Sequence, residues 1–288
     1  MLAALVAGLL LSGCVVTLGG VPRAAQPPPP DAPDGEVTVV GTDGGEVDRL
    51  ATNALADLGT YWGEQLPDVF DVTFQPLQGG FFSVDPDDVD PAAYPDGVGC
   101  GTDPADLQDN AFYCQAEGVA NSDSISWDRA FLGRLADDSG RFLPALVMAH
   151  EYGHAIQARV GYPRSSIATE TQADCFAGAW TAWVAAGEAE HTQIREVELD
   201  EVLGGYLQLR DPVGTGQREE QAHGSFFDRV SAFQEGFDAG AEACRDGFGP
   251  DRPFTQAEFT RDEDLATGGD AAFVTAQELA ATSLPEFW

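Results

Sequence analysis

Apolar positions at helical spacing single out the middle of the chain. Leu143, Leu146 and Val147 form a stripe that His150 and His154 continue, which predicts a helix with both histidines turned inward. Pro144 fits its first turn, where a missing N–H has no partner anyway, and Gly161 and Pro163 stop it. A second helical face follows, made of Ile167, Glu170, Asp174, Ala177 and Thr181. Two carboxylates on an otherwise apolar face are costly to bury unless they bind a metal or pair with another group.

Upstream, Val47, Leu50, Ala51, Ala54, Leu55 and Leu58 predict a helix over residues 46–64 that ends near Gly59 and Gly63. Residues 70–74 alternate as a strand, and residues 85–100, with Pro86, Pro91 and Pro95, read as a loop. Residues 111–119 and 124–127 predict short strands leading into a helix near 128–135. Downstream, a helical segment covers 188–209 with a break at Gly204-Gly205. A further helix, over about 219–244, has Phe226, Phe227, Val230, Phe233 and Phe237 on its apolar side. An amphipathic piece lies near 271–281. Short strands first and helices afterwards predict an α+β fold, mostly helical, with a small β region before the histidine-bearing helix.

The N-terminus reads differently. Residues 2–11 are nearly all apolar and end in Leu11-Ser12-Gly13-Cys14. That run is too short to span a bilayer but fits a lipoprotein-type signal peptide over 1–13, with Cys14 as the lipidated mature end; the usual basic residues before it are missing. Residues 14–45, rich in proline and glycine, have no apolar periodicity and read as a tether, leaving 46–288 as the folded domain.

Composition narrows the partners. The 288 residues are 43% hydrophobic, enough for a substantial core, and carry a net charge of −34, with 14 cationic side chains, all of them arginine. A field of that sign disfavours nucleic acid and anionic membrane surfaces. The favoured reading of that charge is a highly solvated acidic surface, with salt adaptation and a preference for cationic substrates as alternatives that sequence alone does not separate. Five cysteines are an odd number for an exported chain. Lipidation of Cys14 leaves four, with Cys100–Cys114 and Cys175–Cys244 as the natural pairs. No C-x-x-C spacing supports a zinc role for them.

The chemistry concentrates on the two inner helices. His150-Glu151-Tyr152-Gly153-His154 is H-E-x-x-H, which on a helix aims two imidazoles at one metal ion. Glu151, a quarter-turn round, is placed to take a proton from water activated by the metal. Alone, the motif also fits a helix with two satisfied core histidines. A catalytic zinc needs a third ligand, and Glu170 supplies it, with Asp174 one turn on accepting the other ring N–H of a ligating histidine. An outward, solvated Glu170 and Asp174 would sit poorly among Ala173, Cys175, Phe176, Ala177 and Trp180.

These residues carry a resemblance. His150 to His154, followed by Glu170-Thr171-Gln172-Ala173-Asp174-Cys175-Phe176-Ala177-Gly178, resembles the bacterial neutral zinc metallopeptidases. The Glu-x-x-x-Asp part is similar to the third-ligand helix of thermolysin-type (gluzincin) enzymes. The likeness extends to Phe112-Tyr113-Cys114 and to His223-Gly224-Ser225 with Arg229 and Phe233, over roughly 95–245. The chain departs from that pattern at Ala155, where the family usually has histidine, and at Thr171, where leucine is commoner. The resemblance implies a zincin-like peptidase with one Zn2+ per chain and a peptide or protein substrate. It also marks His223 as a recurrent motif position. A donor near the scissile carbonyl stabilises the oxyanion, and His223 is the candidate, with Tyr152 and Tyr206 as alternatives. His191 reads as an exposed helical residue. The expectation is an exported, membrane-tethered zinc metallopeptidase with Glu151 as general base. The alternative is a catalytically silent zinc-binding lipoprotein that serves as a binding or scaffold module, for which Glu151 would have no use.

Overall fold

The computed structural model describes residues 33–288; Cys14, the expected signal peptide and most of the expected tether lie outside that range. In chain order the elements are β1 (Val39–Val40), α1 (Glu46–Phe70), β2 (Gly80–Val84), β3 (Ala111–Cys114), β4 (Ser124–Asp128) and α2 (Arg129–Ser139). They continue with α3 (Leu143–Val160), α4 (Ser166–Ala185), α5 (Glu196–Leu209), α6 (Phe226–Gly247), α7 (Asp262–Thr267) and α8 (Phe273–Phe287). The fold is α+β, with a small sheet preceding most of the helices. Its strand order is β1-β2-β4-β3, parallel except for β3, which pairs antiparallel to β4 and forms one edge.

The core lies where α1, α3, α4 and α6 meet the sheet, around the fully buried rings of Trp62, Trp127, Phe176 and Trp180. α4 and α6 approach until their backbones touch. A Cβ on Gly178 would collide with the Phe233 carbonyl, and one on Gly236 with that of Cys175. Disulfides join Cys175 to Cys244 across this pair and Cys100 to Cys114 at the end of β3. The first closes a separation of 69 residues, for which chain entropy gives about 4 kcal/mol. Reduction is therefore expected to lower the melting temperature markedly; an unchanged melt with both thiols titratable would show that the bond contributes little.

Several elements differ from the pattern-based reading. α1 does not stop at Gly59 or Gly63 but runs to Phe70, because Tyr61, Trp62 and Leu66 continue its buried face. That burial outweighs about 1 kcal/mol per glycine. The strand predicted over 70–74 is therefore absent: Asp71 caps α1 in the left-handed region, and Val72 and Phe74 pack on the core without a strand partner. β2 gives no alternating pattern, because Phe81 packs against one core cluster and Phe82 and Val84 lie in another, so both faces of the strand are covered. β1 lies inside the stretch read as tether, and Gly35 donates its N–H to Asn53, so the folded part begins before residue 46. β3 ends at Cys114 rather than 119.

Downstream, α5 begins only at Glu196 and passes through Gly204-Gly205 unbroken. Residues 190–192 are held outside any helix by the Asp57 carboxylate, which accepts their three N–H groups. His191 is thus a partly buried loop residue that meets the Pro33 carbonyl, not a helical one. α6 starts at Phe226, where Ser225 and Asp228 form a capping box. Residues 219–225 lie outside any helix. The amphipathic piece near 271–281 is α8, exposed along its length. Among the described residues no helix is long and apolar enough to cross a membrane.

Candidate metal centre

α3 is buried without interruption from Leu143 to Gly153, which turns His150 and Glu151 into the protein under β3. The motif glycine has a steric role here. An ideal Cβ on Gly153 would come 3.0 Å from the Ala173 Cα, so any larger residue there would force α3 and α4 apart by a few tenths of an ångström. Their closeness carries Glu170 to the histidine pair.

The ligand atoms form a compact triangle. His150 Nε2 and His154 Nε2 are 3.2 Å apart, and Glu170 Oε2 lies 3.3 Å from the first and 3.5 Å from the second. Tetrahedral zinc with bonds of 2.0–2.1 Å requires ligand atoms roughly 3.3–3.4 Å apart, so the spacing suits that ion. The donor chemistry fits as well. Asp174 accepts from His150 Nδ1 at 2.9 Å while Arg229 donates to both of its oxygens at 2.8 Å, so the carboxylate is ionised and His150 Nδ1 carries the hydrogen. The Nε2 lone pair is left facing the Glu170 carboxylate, an arrangement that needs a cation or a proton between them. His154 Nδ1 meets Gln157 Oε1 at 2.8 Å.

Charge around the triangle is strongly coupled. Burial opposes a charged His150, but Asp174 and Glu170 prevail and push its pKa up to about 10 in the metal-free protein. Burial likewise works against an ionised Glu170, yet the two histidines hold it well below the ordinary carboxylate range. Glu151 moves the other way: its burial raises its pKa, only partly offset by the histidines and by the Tyr113 N–H, which donates to Oε2 at 2.8 Å. A carboxyl raised toward neutrality suits a general base.

A cavity of about 710 Å³ opens over the triangle. It is lined by the residues of β3, by the apolar Phe131, Leu146 and Val147, and by Glu220 and His223. His223 Nε2 lies 3.8 Å from Glu170 Oε2, and its Nδ1 lies 3.4 Å from Asp211, which also accepts the N–H groups of His223 and Gly224. Of the alternative donors, Tyr206 lines the cavity, its ring beneath the Arg229 guanidinium. Tyr152 does not. It is 2% exposed in the core behind α3, because its position on the helix points toward α1.

Three residues acquire roles that the pattern did not assign. Arg229 neutralises Asp174 and also donates to the Leu209 carbonyl. A buried carboxylate on a helix demands a cation, and that demand was the available signal. Gln157 follows His154 by three residues on the same helix, so its spacing was legible but its amide carried no chemical flag. Asp211 lies in a loop and gave none.

Comparison with known proteins agrees with this arrangement. Residues 94–248 match the family described as "Putative neutral zinc metallopeptidase". Uncharacterized protein Rv2575 of Mycobacterium tuberculosis is 28% identical over 175 residues, covering 53% of this chain and 59% of the relative. Uncharacterized protein YpfJ of Escherichia coli K12 is 30% identical over 176 residues, covering 53% and 58%. The chain thus spans under two thirds of the length of these relatives. No solved structure matches it significantly. With the family match covering more than half of its length, and a His-His-Glu triangle of zinc dimensions inside that match, the chain belongs to the neutral zinc metallopeptidase family.

Proposed function

We propose that the protein is an exported, membrane-tethered zinc peptidase in which His150, His154 and Glu170 hold one Zn2+ and Glu151 acts as general base. The observation that carries this reading is the convergence of three ligand atoms on one point beside a buried carboxyl that is not needed as a ligand. When bound, the ion supplies Lewis acidity that brings the pKa of water to about 7. Glu151 accepts the proton from the attacking water and returns it to the leaving amine. His223, oriented by Asp211, donates toward the developing oxyanion. The substrate backbone is accommodated along β3. This edge strand turns the Tyr113 N–H toward Glu151, and by strand alternation Ala111 presents its backbone on the same side.

Two disulfides support an oxidising compartment, and Leu11-Ser12-Gly13-Cys14 supports a lipid anchor on Cys14. A net charge of −34 argues against a nucleic-acid partner. A diverse peptide library incubated with zinc-loaded protein should be cleaved, with cleavage lost on chelation and restored by zinc. Stoichiometric zinc with no cleaved peptide would favour the silent binding module.

Substituting Glu170 by Ala is expected to lower zinc content sharply; undiminished zinc would move the third ligand elsewhere. Zinc must displace the proton that His150 holds up to about pH 10. Apparent zinc affinity should therefore rise by about tenfold per pH unit between pH 6 and 9. A flat profile in a chelator competition would contradict the assignment. The same shift has a stability sign. Because the folded pKa lies above histidine's ordinary value, protonated His150 stabilises the metal-free fold at low pH, and that contribution is lost as pH rises through about 10.

A further inference from the structure

The two histidines of the triangle are backed in different ways. His150 rests on an ionised carboxylate, whereas His154 rests on the neutral amide of Gln157, which is fully buried. The far end of that amide lies 2.7 Å from the Thr169 carbonyl oxygen and 3.0 Å from the side chain of Gln172. The amide of Gln172 in turn ends 3.0 Å from the Cys244 carbonyl, beside the disulfide that joins α4 to α6.

Backbone carbonyls only accept hydrogen bonds. The Gln157 atom facing Thr169 must therefore be its nitrogen, and so must the Gln172 atom facing Cys244. Both oxygens are then fixed as well: that of Gln172 accepts from Gln157, and that of Gln157 accepts from His154. The chain of donors runs one way, from His154 through two amides to a main-chain carbonyl. His154 Nδ1 has to carry the hydrogen, so in the neutral imidazole Nε2 offers its lone pair toward His150 Nε2 and Glu170 Oε2.

We propose that Gln157 and Gln172 are positioning residues that lock His154 into its metal-ready tautomer through this one-way chain anchored on the Cys244 carbonyl. A free neutral imidazole populates both tautomers, and the wrong one would aim an N–H at the place the ion must occupy. Gln172 is hydrogen-bonded to Gln157 and to the Cys244 carbonyl rather than to the histidine, so its effect on zinc is expected to pass through Gln157; an effect passed instead along α4 to Glu170 would be independent of Gln157. The proposal rests on the zinc reading of the site.

The test is a double-mutant cycle read by zinc affinity in a chelator competition, not by activity. Gln157→Met should weaken zinc binding by about 10- to 100-fold, as outer partners of ligating histidines do. Gln172→Met should weaken it in the same direction, by about 10-fold or less. In the Gln157→Met background, Gln172→Met should change affinity by no more than roughly twofold, because the path is already cut. Fully multiplicative effects, or unchanged affinity in Gln172→Met, would overturn the proposal. Should a variant not fold, the wild type still decides the matter by amide hydrogen exchange in NMR. The side-chain amide protons of Gln157 should be strongly protected, and free exchange would overturn the chain. If the wild type binds no zinc at one per chain, the reading of the site fails instead.

Discussion

Glu151→Gln protein is expected to keep one zinc per chain and to lose peptide hydrolysis by about 10²- to 10⁴-fold, the usual contribution of a positioned general base. The substitution is nearly isosteric. The Tyr113 N–H that now donates to Glu151 Oε2 can donate equally to the amide oxygen of glutamine, so β3 and α3 stay in register. The ligand triangle is untouched, since Glu151 is no part of it. What disappears is the ability to take up a proton. Parallel metal analysis and peptide turnover measure both halves, and residual activity within about tenfold of wild type would remove Glu151 from the role of base.

The largest effect on stability is expected from Arg229→Met. Arg229 is 4% exposed and binds both oxygens of Asp174, which is 0% exposed. Removing the guanidinium leaves the buried carboxylate without its cation, beside His150 and Tyr206, and losing one partner of a buried pair costs about 3 kcal/mol or more. For a chain of this size that corresponds to a fall in melting temperature of roughly 6–12 °C. Zinc affinity should fall too, because Asp174 orients His150. Arg229→Lys should rescue little: a point charge cannot span both carboxylate oxygens and the Leu209 carbonyl. A melting temperature within about 2 °C of wild type would show that Asp174 is satisfied without Arg229.

The centre was legible in the sequence because its geometry is local. His150, Glu151 and His154 are related by helical spacing alone, and Glu170 and Asp174 by one turn of the next helix, so periodicity gave each set its face, while the need for a third ligand, not periodicity, joined the two sets. What that reading could not supply depended on contacts between distant segments. Arg229 reaches Asp174 across 55 residues, and Asp211 reaches His223 through a loop with no regular pattern. The sheet was harder for a similar reason. β2 is covered on both faces and gives no alternation, while Phe70, Val72 and Phe74 alternate yet find no strand to pair with. The extension of α1 past two glycines shows burial overriding intrinsic preference. The expected ending used local propensity, whereas Trp62 and Leu66 answer to the core.

The most direct test of the zinc site is anomalous diffraction at the zinc edge from crystals grown with one equivalent of zinc. A single strong peak should lie within bonding distance of His150 Nε2, His154 Nε2 and Glu170 Oε2, with no protein atom as fourth ligand. A peak held by other side chains, or no peak between these three atoms, would contradict it.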